Sequence, residues 1–197
     1  MDSSRAPWLG RLVVESVLIA LSVLLALAVD SWREERRNAE RAEQALVSFE
    51  AEIRRNLAAV EAVSPYHLKL KEDIGRLSAE GAIRKFEDLQ KIEGFNGFRP
   101  NTLEETAWRT AVATGTLEHL DYKMAQTLSR LYTYQEYVVK HSDPTYLFGP
   151  TSLADENIPA MMRGASFYLG DVTAGDKGLK EAYKAVLGRL EARPGRH

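Results

Sequence analysis

The run LVVESVLIALSVLLALAV at residues 12–29, followed within one helical turn by Arg33-Glu34-Glu35-Arg36-Arg37, constrains this chain more than any other feature. Eighteen residues at about 1.5 Å each give roughly 27 Å of helix, close to the hydrocarbon thickness of a bilayer. Trp8 and Trp32 stand about 36 Å apart along such a helix, which puts an amphipathic ring at each headgroup level. Val17, Leu18, Ile19, Leu21, Val23, Leu24, Leu25 and Leu27 cover the whole circumference, whereas a helix on a globular surface keeps a polar face. The reading is a transmembrane helix over residues 12–32, with the lipid bilayer as its first partner. A cleaved secretory signal is the competing reading, because Ala26-Leu27-Ala28 offers the small-x-small pattern of a cleavage site. Glu15 inside the apolar run, and a helical pattern that passes Ala28 without a turn residue, favour a retained anchor.

Glu15 is the one ionisable residue inside the run. Embedded carboxylates are costly in lipid and often pair with another helix or relay protons. Arg11, four residues earlier, offers the simpler alternative of a pair that snorkels toward water from one turn inside the interface. Ser16 with Ala20, and Ser22 with Ala26, have the small-xxx-small spacing that lets two spans approach. That spacing allows a homo-oligomer or contact with another membrane protein. For orientation, Arg33, Arg36, Arg37 and Arg41 follow the span and only Arg5 and Arg11 precede it. Taken alone by the positive-inside rule, this count would keep the C-terminal part in the cytoplasm, but Asp30, Glu34, Glu35, Glu40 and Glu43 nearly balance it and leave the orientation open.

The remainder is long enough for one domain of ordinary size. A net charge of −2 with intermixed signs excludes the basic face that a nucleic acid needs. With no cysteine there is no disulfide, thiolate metal site or cysteine nucleophile. Residues 30–63 contain neither proline nor glycine, so the span is expected to continue as a long helix, first as a stalk charged on all sides (33–45) and then as a packed element. Leu46, Phe49, Ile53, Leu57, Val60 and Val63 recur at three- and four-residue steps and mark the packed face. Ser64-Pro65 predicts a stop and restart, with a second helix to about residue 80 that buries Leu68 or Leu70, Ile74 and Leu77 and closes at Gly81. A third helix is expected from Thr102, which has capping-box spacing to Glu105, as far as Gly115. Asp121 caps a fourth through His141, carrying Met124, Leu128, Leu131, Tyr132, Val138 and Val139. A last helix is expected from about Lys177, with Leu179, Tyr183, Val186, Leu187 and Leu190 inward, ending before Pro194.

No strand pattern is present. The expected fold is all-α: an N-terminal transmembrane helix continuous with a long helix of a membrane-proximal bundle. Its segments are a tail at 1–11, the span at 12–32, the stalk at 33–45, the bundle at 46–193 and a tail at 194–197.

Two long connections, 81–101 and 142–170, interrupt this pattern. The first holds a short helix near residues 86–93 and then Phe95 and Phe98; the second holds Tyr146, Leu147, Phe148, Met161, Met162, Phe167 and Tyr168. Such aromatics either line a ligand pocket or tuck onto the bundle as a lid. Phe95, Phe98, Trp108, Arg109 and Tyr132 are the candidates for a pocket or partner surface.

The segment from Glu15 to Leu27, running into Trp32-Arg33-Glu34-Glu35-Arg36-Arg37, resembles the N-terminus of an uncharacterised bacterial family of single-pass membrane-anchored helical proteins. In that family a glutamate opens the span and a tryptophan with a Glu-Arg/Lys cluster closes it. Thr106-Ala107-Trp108 through Ala113-Thr114-Gly115-Thr116-Leu117, then Asp121-Tyr122 and Leu131-Tyr132, is similar to a second family segment. The resemblance implies a bacterial inner-membrane location with the C-terminal domain in the periplasm, and it brings no known enzymatic activity.

Catalytic chemistry is thin. His67, His119 and His141 show neither Glu-x-x-His nor His-x-x-x-His spacing, although Glu118, His119 and Asp121 can be imagined converging with His141 on a metal. Gly175-Asp176-Lys177-Gly178 reads as a turn opening the last helix, not as a phosphate loop. No motif calls for a cofactor, and no catalytic or metal residue is assigned. The favoured function is a membrane-tethered interaction, sensory or scaffold module. The alternative is a small-molecule- or metal-binding protein, with or without catalysis, whose site lies under the 81–101 and 142–170 connections.

Overall fold

The computed structural model describes residues 6–146 and 155–193, and every regular element among them is helical. The chain divides into two units, Met1–Gln44 and Ala45–His197. Helix α1 spans Ala6–Ala79, so the apolar N-terminal helix continues into the helical bundle. After it come a 3-10 helix (Phe86–Lys91), α2 (Thr106–Ala113), a 3-10 turn (Thr116–His119), α3 (Tyr122–His141), two short 3-10 turns (Pro144–Tyr146 and Asp155–Asn157) and α4 (Ile158–Glu191).

In the first unit the expected pattern holds. Ser22 donates its hydroxyl to the Leu18 carbonyl at 2.8 Å, the local bond a helical serine makes to the residue four before it. Arg36 pairs with Glu40 four residues on and lies 5.9 Å over the Trp32 ring, both at the surface. In the second unit the apolar stripe of α1 is buried at Phe49, Ile53 and Val60. Leu70 and Ile74 extend it, and Leu68 is exposed.

Three expectations from the sequence are corrected. The first is the break at Ser64-Pro65, where α1 runs on through the proline. Proline removes a helical hydrogen bond at a cost of about 3 kcal/mol. Val60, His67, Leu70 and Ile74, all buried on either side of it, hold the helix together. Ser64 caps nothing; its hydroxyl accepts from Lys180 of α4 at 2.9 Å.

The second correction concerns α2, which starts at Thr106 and not at Thr102. Residues 101–105 before it are non-helical, and Asn56 of α1 grips the Glu104 backbone at both ends: its Nδ2 donates to Glu104 O and its Oδ1 accepts from Glu104 N, each at 2.8 Å. The helix ends at Ala113, just before Gly115, whose φ of +67° suits glycine.

The third correction is the largest: α4 begins at Ile158, about twenty residues before the expected start, and contains Gly175-Asp176-Lys177-Gly178 in its interior. Glycine usually weakens a helix by about 1 kcal/mol relative to alanine. Here it permits close contact between α3 and α4: a Cβ at Gly175 would meet Val138 Cγ1 at 2.9 Å, and one at Gly178 would meet the Tyr134 hydroxyl at 2.1 Å. The turn reading therefore mistook packing glycines for breakers.

Other expectations are met. Asp121 caps α3 by accepting from Lys123 N and Met124 N. Leu179, Tyr183, Val186, Leu187 and Leu190 are all buried, and α4 ends at Glu191. Pro194, Leu147 and Phe148 lie outside the described residues.

Candidate functional site

In the first unit, the aliphatic side chains from Leu12 to Val29 are all exposed, with Leu25 at 68% and Ile19 at 66%. None of its most apolar eighteen-residue window is buried within the protein. On an insertion scale each Leu, Ile or Val contributes about 0.3 to 0.6 kcal/mol in the membrane, and a central ionisable residue costs about 3. Twelve such residues against one carboxylate, which sits near one end, leave a favourable balance. Arg11 and Glu15 are both exposed, and among the described residues no hydrogen bond or ion pair joins them. Trp8 and Trp32 are likewise exposed, at the two ends of the run.

The second unit separates the five candidate pocket residues. Phe98 is buried and meets Phe95 and Tyr168 edge-on, at centroid distances of 6.3 and 5.8 Å. These rings belong to a core that also holds Leu70, Ile74, Ile158 and Leu169. Trp108 and Tyr132 stack at 5.3 Å in a different cluster, with Phe49 tilted against both. Arg109 points outward and pairs with Glu105. The five fill two cores and a surface position; they do not converge.

What does converge is a line of polar groups on the inward face of α1. Glu52 is almost wholly buried, accepts from the Tyr132 hydroxyl at 2.6 Å, and accepts from the backbone N–H of Ala107 at 2.8 Å. Ala107 lies in the first turn of α2, where N–H groups lack helical partners. Glu52 thus caps α2 from another helix, favoured by the positive end of the helix dipole. Burial, and then the bond to Glu52, push the Tyr132 phenol far above its ordinary pKa, so it remains a donor. Beside it Asn56 and Gln135 share the Glu104 carbonyl, and Gln135 Oε1 accepts from Asn56 and from the Tyr183 hydroxyl at 2.7 Å.

Farther along α1, His67 and Asp176 form a second buried group, neither showing any exposure. His67 Nδ1 lies 2.7 Å from Asp176 Oδ2, and Nε2 lies 2.8 Å from the Arg99 carbonyl. The carbonyl can only accept, so Nε2 carries a hydrogen, and a second proton is shared along the bond to Asp176. Burial pulls the imidazole down, but the hydrogen bonds to Asp176 and Arg99 outweigh it, so the pKa of His67 is raised. Arg99 adopts a left-handed backbone, φ +47°, at a cost of about 1 kcal/mol, and this turns its carbonyl onto the ring. Asn101 Nδ2 donates to Asp176 Oδ1 at 2.7 Å, while its own Oδ1 is buried with no partner among the described residues.

A histidine bonded to an aspartate suggests a general base, but this one is spent. Both ring nitrogens are engaged, and no surface leads to them. The pair fastens α1, the segment before α2 and α4 together. Among the described residues no group of three or more His, Asp or Glu side chains is placed to hold a metal, so Glu118, His119, Asp121 and His141 do not assemble one.

These polar positions escaped the sequence reading although a signal existed. Asn56 falls in phase with Ile53 and Val60, and His67 with Val60 and Leu70, so both sit on the apolar stripe. Asp176 was hidden by reading its helix as a turn. Comparison with family models, with curated proteins and with solved structures finds no match in any of the three.

Proposed function

We propose that this chain is a single-pass protein of the bacterial inner membrane, anchored by residues 12–32, whose helical bundle acts as an interaction, sensory or scaffold module on the periplasmic side. The observation that carries the reading is the sleeve of aliphatic side chains exposed all round α1 from Leu12 to Val29. Such a surface is far larger than the isolated apolar patches that soluble monomers display, and lipid is the covering it fits. The bundle supports a binding role over a catalytic one, because its buried acids and histidine are bonded to the protein's own backbone and side chains.

Orientation is tested by reporter fusions at His197. A reporter that works only after export is expected to be active, and one that works only in the cytoplasm is expected to be silent. The reverse pattern would place the bundle in the cytoplasm, as the arginine count alone implies. Crosslinking in membranes tests the homo-oligomer: a ladder confined to dimers supports it, and a solely monomeric product removes it.

A further inference from the structure

A cleft of about 270 Å³ opens between α3 and α4, in a region that no part of the proposed function uses. Drug-sized ligands occupy about 300 to 1,000 Å³, so this cleft takes something smaller. Its wall on α3 is aromatic: Tyr134 and Tyr137 lie nearly parallel, 13° apart with centroids 6.5 Å from each other, and the His141 ring sits 4.1 Å from Tyr137. Val138 forms part of the floor, and the α4 side presents Asp171. The nearby backbone and hydroxyl groups are already occupied. His141 Nδ1 bonds the Tyr137 carbonyl, Ser142 Oγ donates to Val139 O, and Ser142 O accepts from the Tyr168 hydroxyl. Asp171 is exposed and has no hydrogen bond or ion pair among the described residues. No lysine or arginine lines the cleft. Burial, then Tyr137 and Glu181, hold the Tyr134 phenol above its ordinary pKa.

From the two tyrosine rings, a carboxylate without a partner among the described residues and a lining free of lysine and arginine, we infer that the α3–α4 cleft binds a small organic ammonium ion. The electron-rich rings of Tyr134 and Tyr137, which line the cleft, attract the cation, and Asp171 supplies the countercharge. This site lies wholly within the bundle, so it is independent of membrane attachment and of orientation.

The test titrates choline into the intact chain in a maltoside detergent at constant ionic strength, followed by calorimetry, with 3,3-dimethylbutanol as the uncharged isostere. Saturable binding of choline and none of the alcohol is expected. Asp171→Asn should weaken choline about 3- to 10-fold, and Tyr137→Leu by a similar factor. Asp171 is exposed, so its variant should melt like the parent and decides the matter even if Tyr137→Leu fails to fold. No saturation by choline, equal binding of the alcohol, or an unchanged affinity in Asp171→Asn would overturn the inference. Reconstitution separates the two carriers of this chemistry. If phosphatidylcholine bilayers suppress choline binding that phosphatidylglycerol bilayers preserve, a lipid headgroup is the occupant; if both preserve it, a free ammonium compound is.

Discussion

The two parts of α1 solve opposite problems with the same backbone. Over residues 12–29 the helix turns aliphatic side chains outward on every side and carries a single carboxyl group, Glu15, with no partner among the described residues. Past residue 45 it buries a narrow stripe and brings Glu52, Asn56 and His67 inside with it, each bonded to another element. On the proposed membrane reading a polar group is tolerated in the first part only by reaching water; in the second it is satisfied within the protein. The difference shows that the environment, not the residue type, decides whether a glutamate harms or holds a helix.

Substitutions can break this comparison at either end, and the largest effect belongs to the span. Replacing both Leu21 and Leu25 by arginine adds about 5 to 7 kcal/mol of insertion cost. The chain should leave the membrane fraction, while the bundle's melting temperature stays where it was. Next come the two glutamates. Glu52→Leu strands the Tyr132 hydroxyl and the Ala107 N–H in the interior, at about 1 to 3 kcal/mol each. Its denaturant midpoint should fall steeply, whereas Glu15→Leu should leave that midpoint alone and strengthen membrane retention. Opposite outcomes for the same replacement would sharpen the contrast; equal ones would erase it.

A smaller effect is expected from glycines inside α4. Gly178→Ala drives a methyl into the Tyr134 hydroxyl and should cost about 1 to 3 kcal/mol. Gly170→Ala meets nothing within 4 Å and should gain up to about 1 kcal/mol of helix propensity. Thermal melts of the two variants should move in opposite directions. The gentlest test is acidity. Because folding raises the His67 pKa above its unfolded value of 6.5, the folded state binds that proton more tightly. The stabilisation is complete below pH 6.5 and fades as pH climbs through the raised folded value. Urea midpoints should therefore decline across that window in the parent, and His67→Gln should lack this component.

Much of this architecture could be read from residue spacing, and the misreadings share one cause. The span, the stripe from Phe49 to Val60 and the Asp121 cap depend on local pattern, which a linear sequence displays. Pro65, Thr102 and the Gly175–Gly178 stretch also carry strong local signals, but contacts from distant elements overrode each of them. Lys180 reaches Ser64, Glu52 and Asn56 hold the start of α2, and Val138 and Tyr134 need the space at the two glycines. Phe95 and Phe98 were sensibly suspected as aromatics in a long connection, yet only packing reveals that Tyr168 closes over Phe98 from α4. The α3–α4 cleft is lined on α4 by Asp171, Val172, Ala174 and Gly175, which lie ahead of the helix start that local pattern places near Lys177.

The central claim is that residues 12–29 stay attached to the chain and lie in lipid. Alkaline carbonate extraction of membranes, followed by intact mass measurement of the protein, tests it directly. The account predicts that the chain stays in the membrane pellet and that its mass includes the whole apolar run. Recovery in the supernatant, or a mature N-terminus at Val29, would contradict it.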